Sequence, residues 1–254
     1  MRRIRSIVVL TAAALLLGGC GGDGSDTAPS PPSSTTSSTS QVAVPTAEEL
    51  AAALVTPDAY VGTWTVNVPP DDAAAISGVV TEAQQAMLPR IELCDRAGEE
   101  SRAAADALRW QAFRQLDQSE ENPIDMAAGD RRGHLVFVQE LIMAGDPDEV
   151  VTTFDALSDG MRACQGDFPA GEEGPGTVEP MTLPEVGQDR YGQLTTMEEA
   201  GGRAYWLLHS ALVREGPVLM TVQVVDIVMG EGVQPVFTTE EVGLFVTTAV
   251  DRLP

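Results

Sequence analysis

From Ser25 to Ser40, eleven of sixteen residues are Ser or Thr and three are Pro. Such a segment has no apolar surface to bury and nothing to offset the entropy of ordering its backbone. Residues 20–45 therefore read as a disordered tether, with a coil span of roughly 25–30 Å. A Ser/Thr/Pro run of this kind suits a bare linker or an O-glycosylated stalk. Whatever folds must come from residues 46–254, which contain no second linker and no internal repeat, so one domain is predicted. With 43% hydrophobic residues in the chain, that stretch can build a core.

What precedes the tether has its own logic. Arg2, Arg3 and Arg5 form a positive start, and Ile7–Leu17 is apolar apart from Thr11. That stretch is short for a bilayer span and suits the hydrophobic region of a signal peptide over residues 1–19. It ends in Leu17-Gly18-Gly19-Cys20, which resembles the lipobox of bacterial lipoproteins; an ordinary signal peptide is the alternative. The resemblance implies that Cys20 becomes the N-terminus and carries the lipid (palmitate among its acyl chains). It also implies an exported protein anchored on the outer face of the cell membrane.

With Cys20 acylated, Cys94 and Cys164 are the remaining thiols. In an exported chain a remaining pair most simply forms one disulfide, two buried free thiols being the alternative. No Cys-x-x-Cys is present to make the pair redox-active. The formal charge of −23 comes from 38 acidic residues against 15 basic ones, all of them Arg. An acidic surface repels phosphates, which argues against nucleic acid and against electrostatic adhesion to anionic lipid. Three Cys and two His are too few, at these spacings, for a structural zinc cluster.

Along the domain, Thr46-Ala-Glu-Glu49 is a capping box before Leu50 and Leu54, which predicts a short helix. Tyr60–Val66 has strand composition. Thr81–Met87 suits a helical turn or two, stopped by Pro89. Leu108–Leu116 is ambiguous, because the Ala-rich run before it prefers helix, whereas Leu135–Met143 alternates as a strand. Asp146-Pro147 begins a helix with Val150, Phe154, Leu157 and Met161 on one face, ending near Cys164. Residues 165–187 read as a Gly/Pro/acid-rich loop. Strands follow at Arg190–Met197, Arg203–Val213 and Val218–Val228, and Thr238-Thr-Glu-Glu241 caps a terminal helix with an apolar stripe. The expected class is α+β: a mostly antiparallel sheet covered by helices.

The order of a lipobox, a Ser/Thr/Pro stalk, Asp58…Trp64, a helix ending in Cys164, the Leu-Pro-x-x-Gly turn at Leu183–Gly187, two late strands and a terminal helix resembles a known arrangement. It is similar to the PknH-like extracellular sensor domain of high-GC Gram-positive bacteria, which occurs on serine/threonine kinases and on free-standing lipoproteins. The resemblance implies an α/β domain with a groove and a sensor role. Members often carry two disulfides, and this chain has thiols for one.

Chemistry-bearing motifs are missing: there is no Gly-x-Ser-x-Gly, Ser-x-x-Lys, Walker loop or His-Glu-x-x-His, and Lys chemistry is excluded outright. His134 and His209 fall on predicted strands. A hairpin turning at Glu215-Gly216, with Val213 opposite Val218, puts His209, Leu207, Met220, Val222 and Val224 on one face. Trp206, Ser210, Thr221 and Gln223 then share the other, amphipathic face. These four are candidates for the floor of a ligand groove; core packing, with Trp206 under a helix, is the alternative. Glu140 and Arg114 each alternate with apolar residues (Arg114 among Trp110, Ala112 and Leu116), so paired strands would let them form a structural ion pair. The functional expectation is a non-enzymatic, cofactor-free, sensor-like domain binding a small molecule or an envelope protein. An envelope hydrolase using paired carboxylates and a structural lipoprotein without a groove are the alternatives.

Overall fold

A computed structural model of the chain describes residues 43–67, 77–118, 133–171, 174–198, 204–229 and 235–254. The segment expected to be a signal peptide, Cys20 and most of the expected tether lie outside these residues. Helix α1 (Ala47–Ala53) opens on the expected capping box: the Thr46 hydroxyl accepts from the Glu49 N–H, and the Glu49 carboxylate accepts from the Thr46 N–H at 2.8 Å. A 3-10 turn (Pro57–Ala59) leads to β1 (Trp64–Val66), shorter than the composition predicts. Then come α2 (Glu82–Gln85), α3 (Glu99–Ala107), β2 (Ala112–Gln118) and β3 (Gly133–Ala144).

Helix α4 (Pro147–Ala163) starts with Asp146 accepting from the Asp148 N–H and ends at Cys164. Strands β4 (Gly166–Gly171), β5 (Gly174–Pro180), β6 (Asp189–Glu198), β7 (Ala204–Glu215) and β8 (Val218–Met229) follow, and α5 (Thr239–Val250) closes the domain behind a second capping box at Thr238. The eight strands form one antiparallel sheet in the order β1-β2-β3-β8-β7-β6-β5-β4. The chain leaves mid-sheet after β3, runs through α4 to the far edge, and meanders back until β8 closes against β3. The α+β class expected from the element pattern is the one observed. No helix among the described residues is long and apolar enough to cross a membrane.

Each sheet face has its own core. On one, Leu50 of α1, Leu54 just after it, and Val242, Val246 and Ala249 of α5 cover Leu116, Val136, Val138, Met220, Val222 and Val224. On the other, Phe154, Leu157 and Met161 of α4 cover Leu141, Leu212 and Leu219. Sandwiched between both, β8 is buried almost throughout and loses the alternation of a half-solvated strand. Tyr60, Trp64, Phe237 and Phe245 add an aromatic cluster in which Tyr60 and Phe245 meet edge-on, centroids 4.4 Å apart.

Three expectations are corrected. Residues 166–171 and 174–180 are strands rather than loop. Strand β4 is the edge strand, where Gly and Pro are tolerated, and β5 beside it is held by backbone pairing to both β4 and β6. The β7–β8 register pairs Val213 with Met220 and Glu215 with Val218 around a tight turn at Gly216 (φ 55°) and Pro217, instead of Val213 with Val218. The slip is two residues, which preserves every face assignment; one residue would have reversed them all. Trp110 packs with the α4 core rather than with Ala112 and Leu116, because it precedes the strand whose alternation it was assigned to.

Candidate functional site

On the α4 face a row of polar residues crosses five strands: Gln193, Ser210, Gln223, Gln139 and Gln115, each register partner to the next. The β2–β3 end of the row satisfies itself, Gln139 donating to Gln115 Oε1 at 2.8 Å and Gln115 donating to Asp117 at 2.7 Å. The β6–β8 end opens instead into a groove of about 340 Å³. Ser210 and Thr221 lie on its floor, 7% and 4% exposed, with Gln193 and Gln223 beside them. Among the described residues, Thr221 Oγ1 and Gln193 Oε1 are buried without a hydrogen-bond partner. A buried oxygen in that condition costs on the order of 1–3 kcal/mol until something satisfies it. The apolar walls come from Ile91, Met161, Val178, Met197, Leu208 and Leu212.

The groove's outer wall is residues 90–96, a segment without regular structure. A disulfide between Cys94 and Cys164 (Cα–Cα 5.5 Å) fastens it to the end of α4. The Cys94 N–H also donates to Cys164 Sγ, and Arg96 Nη2 donates to the Cys164 carbonyl at 2.8 Å. Sequence reasoning missed this wall and Gln193. The available signal was the Cys94–Cys164 pair, which places residues 90–96 beside the end of a helix that must lie on the sheet.

Of the residues singled out as groove candidates, Ser210, Thr221 and Gln223 line this cavity. Trp206 shares their face but sits two rows farther along it, outside the lining and 44% exposed, with no place in the core under α4. Its neighbour across the strand is Ile227, and the helix α4 does not reach that end. His209 points to the opposite face, 2% exposed, and burial holds its imidazole below the usual histidine range. Its Nδ1 has no partner among the described residues. Asp226, buried on that same face, accepts from the Val236 N–H at 2.5 Å and faces His134 at 3.4 Å, tying the lead-in of α5 to the sheet.

Glu140 and Arg114 are register partners, but each bonds mainly to the chain that follows α1. Glu140 Oε2 accepts from the Val55 N–H at 2.9 Å, and the Tyr60 hydroxyl donates to Oε1 at 2.6 Å. Arg114 donates to the carbonyls of Leu54 and Val55, and Arg252 to that of Ala53. The orphan carbonyls at the C-terminus of α1 are thus met by two guanidinium groups. Burial pushes the Glu140 carboxyl up, opposed by its hydrogen bonds from Tyr60 and Val55 and by the charges of Arg114 and Arg252; burial pushes the Arg114 guanidinium down, opposed by Glu140 and reinforced by Arg252. The expected direct ion pair is replaced by a buried network that anchors α1. Its hydrogen bonds go to the backbone that follows α1 and to Tyr60, which gives it a structural role, although Arg114 also lines a cavity of about 190 Å³ with Gly78, Val79 and Phe113.

No family model matches the chain, and no curated protein resembles it closely enough to register. Among solved structures, the extracellular domain of PknH from Mycobacterium tuberculosis is similar at 17% identity, covering 76% of this chain and 78% of that one, with a TM-score of 0.38. LpqN, involved in cell envelope biogenesis of Mycobacterium tuberculosis, follows at 11% identity, covering 76% and 82%, with a TM-score of 0.23. At such scores neither assigns a function to the groove.

Proposed function

We propose that this chain is an exported, lipid-anchored envelope protein whose domain binds a ligand in the groove between β6–β8 and residues 90–96, without catalysing a reaction. The observation that carries the reading is the floor of that groove: buried, unpartnered oxygens of Thr221 and Gln193 set among apolar walls. A ligand site is built this way, mostly apolar with a few convergent polar groups that fix orientation. The lining also argues for binding over catalysis. Its hydroxyls, Ser210 and Thr221, have no base beside them, because His209 projects from the other face of the same strand. Among the described residues its one carboxylate is Glu92, where a paired-carboxylate hydrolase needs two. The charged start, apolar stretch and Leu17-Gly18-Gly19-Cys20 support the anchor.

Ser210→Phe fills the floor with a side chain the cavity can hold. Mass spectrometry of small molecules extracted from the native protein and from this variant tests the reading. A species enriched in the wild type and lost in the variant is expected; identical extracts from two folded proteins would sink it. The anchor has its own test. Cys20→Ala should abolish incorporation of labelled palmitate and leave the domain folded, and labelled lipid on that variant would refute the lipobox assignment.

A further inference from the structure

The distribution of charge around the groove narrows what it takes. Every side chain on the floor and apolar walls is neutral, and the charged lining residues all belong to one exposed stretch at the rim: Arg90, Glu92 and Arg96. In a chain where acids outnumber bases 38 to 15, a rim with two guanidinium groups and one carboxylate runs against the average. Arg96 is held in place by its bond to the Cys164 carbonyl, which also offsets the negative end of α4. Arg90 has no hydrogen bond or ion pair among the described residues, so its whole donor fork is open to a ligand.

The interior sets complementary demands. Unpartnered Thr221 Oγ1 and Gln193 Oε1 require a hydrogen-bonding group on the inserted end, and neutral surroundings require that end to be uncharged. Met161 and Met197 give walls that adapt to a flexible chain. From Val178 on β5 to Thr221 on β8 the floor crosses three strand spacings, about 14 Å. A cavity of about 340 Å³ has room for one chain, not two.

We infer that the ligand is a single-chain anionic amphipath: an apolar chain bearing a hydroxyl or amide on its buried end, with an acidic head at Arg90 and Arg96. This rests on the groove being a binding site, and the two claims fail separately. Titration calorimetry of the full chain carrying Cys20→Ala, so that no attached acyl group competes, would compare three ten-carbon probes: 10-hydroxydecanoate, 1,10-decanediol and (10-hydroxydecyl)trimethylammonium. The carboxylate is expected to bind at least tenfold more tightly than the diol, with the cation weakest. Arg90→Gln, which breaks no bond of the fold, should bring the carboxylate toward the diol's affinity and leave the diol unchanged. A diol bound as tightly as the carboxylate, an Arg90→Gln variant without effect, or no binding of any probe overturns the anionic assignment. Ser210→Phe tests the groove itself: probes that bind this variant undiminished are binding elsewhere, and the groove reading falls with them.

Discussion

Glu140→Ala is expected to destabilise the domain by roughly 3–5 kcal/mol, the largest effect of any single change considered. The truncation strips the Val55 N–H and the Tyr60 hydroxyl of their acceptor, leaves the Arg114 guanidinium without its neighbouring carboxylate, and opens a cavity beneath α1. All of that falls on Leu54, Val55 and Tyr60, through which α1 and the aromatic cluster join the sheet. Glu140→Gln separates shape from charge. The folded-state carboxyl titrates above its unfolded value, chiefly through burial, with Tyr60, Val55, Arg114 and Arg252 opposing. Below about pH 4.5 both states hold the proton and the group adds no pH dependence. As pH rises, the unfolded chain releases its proton first, so this group's contribution falls until the folded carboxyl ionises too. Relative to Glu140→Gln, the wild type should therefore lose stability as pH increases from 4.5. Denaturant melts of both proteins across pH 4–8 measure the difference. A wild type that gains stability relative to Glu140→Gln as pH rises, or an alanine variant as stable as the wild type, would contradict the network's role.

What could be read from the residues was parity. Leu207 and His209 against Trp206 and Ser210 is a statement about every second residue, and it survived a two-residue error in the hairpin register. The helices were legible for a similar local reason: Thr46, Asp146 and Thr238 cap their helices through bonds made within three residues. Strands β4 and β5 were not, because Gly166, Pro169, Gly171, Gly174, Pro175 and Gly176 carry no alternation, and their pairing at the sheet edge is supplied by backbone. Half of the groove could be foreseen from Ser210, Thr221 and Gln223 sharing a face. Its other half could not. The wall at residues 90–96 has no periodicity, and its place is set by long-range bonds to Cys164, the disulfide first among them. The same holds for Arg114 and Glu140: their facing was readable, but their partners are backbone groups some 60 to 85 residues away in sequence.

That disulfide is the subject of the second large effect. Replacing both Cys94 and Cys164 by Ala should lower stability by roughly 2–4 kcal/mol, the usual cost of freeing a loop of this length in the unfolded chain. The sequence separation it closes is 70 residues. The loss in the folded state should be local. Helix α4 stays on the sheet through Phe154, Leu157 and Met161, buried against Leu212 and Leu219, and none of those contacts involves the disulfide. Residues 90–96 have no such reserve. The disulfide, the Cys94 N–H bond to Cys164 Sγ, the Arg96 bond to the Cys164 carbonyl and the long Arg102 bonds to the carbonyls of Cys94 and Asp95 hold them, the first two go with the sulfurs, and of their side chains Ile91 and Leu93 reach the α4 core, partly buried. Far-ultraviolet circular dichroism should remain that of the wild type, while amide exchange accelerates in residues 90–97 and the floor at Ser210 and Thr221 gains solvent. Since those residues are one wall of the groove, the Ala pair should also weaken 10-hydroxydecanoate binding more than it weakens the fold. Exchange that rises uniformly through β6–β8, or binding that is unchanged once the wall is released, would show that residues 90–96 neither depend on the bridge nor shape the groove.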